Sequence, residues 1–213
     1  MDIPKSAGVW PITTVFLDRD GTIIEDRAYL GDPAGVTLLP GAAEGLAKMT
    51  AAGLRLFVVT NQSGIGRGYF TLQDYLACRA RLNEILSDLG IGITDEAFCP
   101  HAPEETCACR KPALGLWREL AELHGLVPGE CIIIGDKASD LELGYAAGFA
   151  LSVLVLTGEG EKTAARLGVD ISGLSTGCLE TVDKNGRSLL AARDLSAAAQ
   201  WLLFRLTKPG GAF

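Results

Sequence analysis

The sequence has no long apolar run, no excess of basic charge, no dense set of cysteine pairs, and only two histidines among 213 residues. Each shortage removes a class of protein. No stretch approaches the roughly 20 apolar residues that span a bilayer as a helix. Residues 1–13, with Pro4, Lys5, Gly8 and Pro11, lack the apolar core of a secretory leader. The 19 Lys and Arg stand against 26 Asp and Glu, a formal charge of −7; this argues against a general nucleic-acid binder, whose affinity for backbone phosphate rests on a basic face. Any anionic ligand must then be met by local positive charge. Six cysteines are too few for a disulfide scaffold. With 48% hydrophobic and 21% charged residues, a disordered or collagen-like chain is excluded as well. The expectation is a cytoplasmic monomer with no membrane or nucleic-acid partner.

What is present is alternation. Short strand-like runs at 14–17, 54–59, 97–98, 131–134 and 151–156 alternate with helical patterns at 42–52, 71–89, 113–124 and 139–147. That order predicts parallel strands joined by helical crossovers, an α/β doubly wound three-layer sheet of five strands. Thr71 reads as an N-cap, and the all-apolar run 131–134 as a strand in the buried middle of the sheet. Residues 157–187, rich in Gly, Thr, Ser and Asp, read as loop. Asp194 opens a terminal helix to about Leu206, and Pro209-Gly210-Gly211 reads as a frayed tail. The length fits one domain over 14–206 (core 14–160, then loop and helix 161–206), with tails at 1–13 and 207–213.

In a parallel sheet, ligands bind at the carboxyl ends of the strands. The first run ends in Asp18-Arg19-Asp20-Gly21-Thr22, the second in Thr60-Asn61-Gln62-Ser63-Gly64-Ile65-Gly66-Arg67-Gly68, and the fourth in Gly135-Asp136-Lys137-Ala138-Ser139-Asp140. Between the last two lies Arg110-Lys111-Pro112. On one sheet, Asp18, Asp136 and the backbone carbonyl of Asp20 would assemble a hard-cation site flanked by Thr60 and Lys111. Carboxylate oxygens with a substrate phosphate suit Mg2+. A second metal set lies between residues 99 and 109, where Cys99, His101, Cys107 and Cys109 follow the pattern Cys-x-His-x5-Cys-x-Cys. Three thiols and an imidazole make a closed tetrahedral zinc set of the structural kind. Zinc there would fold the loop that presents Arg110 and Lys111. Cys78, Cys131 and Cys178 read as small core residues, and His124 as a helix-end residue.

The four strand-end segments, in this order, resemble the motifs of the haloacid dehalogenase (HAD) superfamily of phosphohydrolases. The resemblance implies a role for each position. Asp18 would be the nucleophile that takes the phosphoryl group, and Asp20 the acid that protonates the leaving oxygen and later activates water. Thr60 and Lys111 would hold the phosphoryl oxygens, and Mg2+ bound by Asp18, Asp20 and Asp136 would offset the gathering charge. Members with a separate cap domain insert many tens of residues after the first or second motif; here those intervals are filled by core elements, so no cap fits. The absent cap, the loop 61–68 and the cysteine segment running into Arg110-Lys111 look like the D-glycero-D-manno-heptose 1,7-bisphosphate 7-phosphatase family over about residues 14–160. By that likeness Asp26, Arg27, Tyr29, Asn61, Gln62 and Ser63 would line a sugar phosphate, and Arg110 would help recognise it. Arg67 and Lys137 would add to a local positive pocket. The chain departs from the compact family pattern after Leu156. Alternatives are a histidinol-phosphate phosphatase, which can carry the same zinc loop, a nucleic-acid 3'-phosphatase, and a non-catalytic zinc-stabilised interaction module.

Overall fold

A computed structural model describes residues 11–174 and 177–207; the readings of residues 1–10 and of Pro209-Gly210-Gly211 lie outside the described residues. The strands are β1 (Thr14–Leu17), β2 (Arg55–Asn61), β3 (Asp95–Cys99), β4 (Cys131–Gly135), β5 (Leu151–Val155), β6 (Cys178–Val182) and β7 (Ser188–Ala192). The helices are α1 (Ala42–Ala51), α2 (Ser63–Gly66), α3 (Leu72–Asp88), α4 (Gly115–His124), α5 (Ala138–Ala147), α6 (Gly160–Leu167) and α7 (Leu195–Thr207). The strands form one sheet in the order β3-β2-β1-β4-β5-β7-β6, parallel except for β6. The α/β doubly wound architecture is therefore as expected from the alternation of strand and helix patterns.

Alternation along each strand sorts its side chains between two layers. Val15, Leu17, Leu56, Val58, Ile132, Ile134, Val153 and Val155 face a core shared with Leu46 and Met49 of α1, Leu82 and Leu86 of α3, and Ala198 and Leu202 of α7. Phe16, Phe57, Val59 and Ile133 face the opposite side, against Leu116, Trp117 and Leu120 of α4 and Leu143 of α5. Phe16 stacks on Phe57 at 5.4 Å and meets Trp117 edge-on at 5.4 Å. β1 lies between β2 and β4, with both faces covered, so Asp18 leaves the sheet from a fully buried strand.

Local signals hold where the sequence placed them. Thr71 caps α3 in a reciprocal capping box with Asp74. His124 ends α4 and bonds Asp95 at 2.9 Å through Nε2. Cys78 and Cys131 are buried.

The region read as loop is the correction. Residues 157–187 contain α6 and β6, and β7 follows at once, so the sheet has seven strands. β6 and β7 form a hairpin whose turn is held by Asp183: its Oδ1 accepts from Asn185 N at 2.8 Å and Arg187 N at 3.0 Å, and its Oδ2 accepts from Arg187 Nε at 2.8 Å. β7 reads Ser-Leu-Leu-Ala-Ala and carries no β-branched residue, so its composition hid it. It is a strand because β5 and β6 pair with it on both sides.

The C-terminal helix is welded to the first one. Gly45 of α1 sits against the backbone of Leu195 and Ser196, and a Cβ at that position would collide with the Leu195 carbonyl. Ala in place of a helical Gly gains about 1 kcal/mol of propensity, whereas a forced separation of packed backbones costs roughly 1–3 kcal/mol. Gly45→Ala should therefore lower the urea midpoint of unfolding with the slope unchanged.

Candidate active site

The carboxyl ends of β1, β2 and β4 converge on a cleft of about 830 Å³. Asp18, Asp136 and Asp140 each bring a carboxylate oxygen within 4.8 Å of the others, and all three are buried. Gly21 makes the crowding possible: at φ +89 it runs so close to Asp136 that a Cβ would overlap the carboxylate.

Lys111 holds this cluster together. Its chain segment is docked on β2, where Lys111 N donates to Asn61 Oδ1 at 2.9 Å and Asn61 Nδ2 donates to Lys111 O at 3.1 Å. The side chain then runs inward, placing Nζ 2.8 Å from Asp18 Oδ1, 2.6 Å from Asp140 Oδ1 and 2.6 Å from Val59 O. Two of these contacts, to Asp18 and Val59, are hydrogen bonds and the one to Asp140 is an ion pair, so the third N–H of the ammonium is not fixed on the protein. Burial works against its charge, but Asp140 and Asp18 outweigh burial and hold it protonated. The same balance acts on Asp18. Burial opposes its ionisation, while Lys111 and Lys137 more than compensate and keep the carboxyl below its ordinary range. Asp18 is thus an ionised carboxylate at a strand tip, as a nucleophile requires.

Asp136 differs. Burial and then the charge of Asp18 push it up to about 8. Its Oδ2 accepts from Glu159 N at 2.8 Å, whereas its Oδ1 is buried with no hydrogen-bond partner. The nearest cation is Lys137, whose Nζ lies 3.0 Å from Asp20 O, 3.2 Å from Asp26 Oδ2, 3.5 Å from Asp136 Oδ1 and 3.8 Å from Asp18 Oδ2. Three buried carboxylates thus face two ammonium groups, and two carboxylate oxygens, Asp136 Oδ1 and Asp140 Oδ1, lack a hydrogen bond. An all-oxygen donor set short of positive charge fits a hard divalent cation. Asp18, Asp136 and the Asp20 carbonyl are the oxygens gathered around Lys137 Nζ that could hold such an ion, and Asp140 is paired with Lys111.

Asp20 stands beside this cluster. Both its oxygens are gripped by the Arg19 guanidinium at 3.0 Å, and Gln62 Nε2 donates to Oδ2 at 2.8 Å. Gln62 Nε2 also donates to Thr60 Oγ1 at 2.7 Å. The sequence-level residues Asp26, Arg27, Tyr29, Asn61, Gln62, Ser63, Arg110 and Lys137 all line the cleft, whereas Arg67 stays out of the wall and pairs with Glu104 at 3.7 Å. Asn61 and Gln62 spend their amides on the protein itself. Tyr29 and the preceding Ala28 hold positive φ (72 and 45), and the Tyr29 ring meets Tyr69 edge-on at 4.5 Å, fixing one lip of the cleft. Sequence reading did not find Ser139, Gly158, Glu159 or Lys162 in the wall. The last three follow from the α6 segment taken for loop; Gly158, beside Gly21 and Asp136, was the available signal.

The cysteine segment closes on itself. Cys99 Sγ lies 3.5 Å from His101 Nδ1 and 3.7 Å from Cys107 Sγ, and His101 Nδ1 lies 3.2 Å from Cys109 Sγ. All four ligand atoms fall within 4.8 Å of one another, and no disulfide joins the cysteines. Tetrahedral zinc with bonds of about 2.3 Å to sulfur and 2.0 Å to nitrogen has ligand edges of roughly 3.5–3.8 Å, so the residues fit that ion.

An ionised aspartate between two lysines at the tip of the buried parallel strand β1, a second aspartate two residues on, and a cation-hungry carboxylate opposite make this a phosphoric monoester hydrolase of the HAD type. An HAD-hydrolase-like family model matches residues 108–172. The chain is 40% identical over 150 residues to the D-glycero-beta-D-manno-heptose-1,7-bisphosphate 7-phosphatase of Pseudomonas putida, covering 70% of this chain and 85% of that one. It is 42% identical over 134 residues to the Helicobacter pylori (strain J99) protein of the same name, covering 62% and 77%. The crystal structure of D,D-heptose 1,7-bisphosphate phosphatase from Bordetella bronchiseptica, complexed with magnesium and phosphate, superposes with a TM-score of 0.78 at 31% identity, over 91% of this chain and 99% of that one. The chain belongs to the D-glycero-D-manno-heptose 1,7-bisphosphate 7-phosphatase family of the HAD superfamily.

The raised Asp136 has a signed consequence. In the unfolded chain an aspartate ionises near pH 4, but here it ionises at about 8, so the folded state holds its proton more tightly. That stabilisation is complete below about pH 4 and is lost as pH rises through 8. In Mg2+-free buffer the melting temperature should fall between pH 5 and 8.5, and Asp136→Asn should flatten the decline.

Proposed function

We propose that this protein removes the C7 phosphate of D-glycero-D-manno-heptose 1,7-bisphosphate through an aspartyl-phosphate intermediate. The observation that carries the chemistry is Asp18, ionised, buried on all sides but the cleft, and fixed by Lys111 at 2.8 Å. An Asp18 oxygen attacks phosphorus as the bond from phosphorus to the sugar oxygen breaks, and the electron pair left on that oxygen takes the proton of Asp20. In the second half, Asp20 accepts a proton from water as the water oxygen bonds phosphorus; the bond from phosphorus to Asp18 breaks, and inorganic phosphate leaves. Thr60 and Lys111 bind the phosphoryl oxygens. Asp18, Asp136 and the Asp20 carbonyl would hold Mg2+, which when bound offsets the charge of the approaching anions. The magnesium in the Bordetella bronchiseptica structure supports that choice of ion.

Two cleft cations favour a bisphosphate. Among the described residues Arg110 and Lys162 line the cleft without a carboxylate partner, while Arg27 is paired with Glu25 at 2.8 Å and Lys137 with Asp26 at 3.2 Å. Unpaired cations are free for a second phosphate. The zinc set keeps no open position, so zinc would shape the Arg110-Lys111 segment and take no part in the reaction. The product, heptose 1-phosphate, would feed synthesis of nucleotide-activated heptose for lipopolysaccharide core or S-layer glycan in the cytoplasm. We read residues 14–206 as one monomeric domain. No helix among the described residues is long and apolar enough to cross a membrane.

Asp18→Asn should abolish phosphate release from heptose 1,7-bisphosphate while leaving the melting temperature within a few degrees; retained turnover would remove the nucleophile. The wild-type enzyme, offered both heptose bisphosphate anomers, histidinol phosphate and a 3'-phosphorylated oligonucleotide with Mg2+, should prefer a heptose bisphosphate. Cys107→Ser should lower bound zinc, measured by elemental analysis, together with thermal stability. A full zinc complement in that variant would dismiss the tetrad.

A further inference from the structure

Arg19 is the largest side chain in the fully buried set, at 1% exposure, and it lies behind the cleft. Its Nε and one terminal nitrogen each bond an Asp20 oxygen at 3.0 Å, and the same terminal nitrogen donates to Gln62 Oε1 at 3.2 Å. The guanidinium carbon lies 5.1 Å from the Tyr75 ring centroid. Tyr75 in turn donates to Glu96, which Arg79 approaches at 3.4 Å. Gln62 closes the set: both hydrogens of its amide are used, on Asp20 Oδ2 at 2.8 Å and Thr60 Oγ1 at 2.7 Å. A guanidinium can only donate, so the amide oxygen must face Arg19 and the amide nitrogen must face Asp20.

From this network we infer that Arg19 and Gln62 are positioning residues that set the aim of Asp20 and tie it to Thr60, so that the proton donor and the phosphoryl-binding hydroxyl move as one unit. A fork of two bonds fixes the plane of the Asp20 carboxyl, which a single bond would leave free to rotate. Gln62 then fixes its distance from the phosphate site. Gln62 lines the cleft, but with its donors spent it acts through Asp20 and Thr60. The inference rests on the acid and base role proposed for Asp20.

The test is leaving-group dependence. A sugar alkoxide needs the proton of Asp20 to depart, whereas nitrophenolate departs without one, so a misaimed Asp20 matters for the first and little for the second. Arg19→Lys, Arg19→Met and Gln62→Met would be compared with Asp20→Asn, all with Mg2+ and with melting temperatures recorded. Two rates are read: turnover of heptose 1,7-bisphosphate, and first-turnover nitrophenolate release from p-nitrophenyl phosphate. For Arg19→Met and Gln62→Met, sugar phosphate turnover should fall about 100-fold with KM little changed, the scale of a lost general acid. Nitrophenolate release should fall less than about 10-fold, and Arg19→Lys should lie between these variants and wild type. Equal losses on both substrates, or no loss on the sugar phosphate, would overturn the inference while Asp20→Asn still shows the split. If Asp20→Asn itself shows no split, the role of Asp20 falls first. Gln62→Met leaves the Arg19–Asp20 pair intact and keeps the test open where Arg19→Met fails to fold.

Discussion

Three carboxylates gathered at the tips of adjacent parallel strands repel one another, and the rest of the site follows from how that repulsion is met. Lys111 meets part of it, reaching two of the three from a single buried nitrogen and anchoring itself on a β2 carbonyl. Lys137 meets another part from the opposite side. Asp136 is left the least compensated of the three, and burial first and the charge of Asp18 second push its carboxyl up. A buried cluster left short of one positive charge is costly to fold and ready to bind a cation. The feature that weakens the fold is therefore the one suited to hold a divalent cation.

Lys111 can do this only if its backbone is held, and two devices hold it. Asn61 clamps its amide and carbonyl, and the Cys99, His101, Cys107 and Cys109 cluster ends two residues before it. A loop without regular structure has little to resist motion; cross-linking it through one ion would give it the stiffness of a secondary element. A metal held there would act on the Lys111 segment mechanically, from outside the cleft wall.

The strand tips were legible because their chemistry is local: Asp18, Asp20, Thr60 and Asp136 each follow an apolar run, and the parallel-sheet rule brings such positions together. The clustering of Cys99, His101, Cys107 and Cys109 was legible for the same reason, since they are close in sequence. Long-range commitments were hidden. Asn61 and Gln62 read as substrate-lining residues from the family likeness, and both do line the cleft. Only the fold shows that Asn61 is spent on Lys111 and Gln62 on Asp20 and Thr60. Arg19 was invisible as a participant, since nothing local says that a cation between two aspartates turns into the core. Arg67, by contrast, had the right charge in the right loop and lies outside the wall.

The segment after Leu156 was misread because propensity is a weak guide to strands that exist through pairing. Its consequence is functional. β5 ends two strands from β1, and the chain then turns through Gly158, packed on Gly21 and Asp136, before α6 begins. The Glu159 amide occupies one Asp136 oxygen, which leaves only the other for a cation. Lys162, in α6, brings a further cation to the cleft wall. The extension therefore does two things that the four strand-end motifs alone do not: it sets how Asp136 presents itself, and it adds positive charge to a cleft whose other cations are Arg27, Arg110, Lys111 and Lys137.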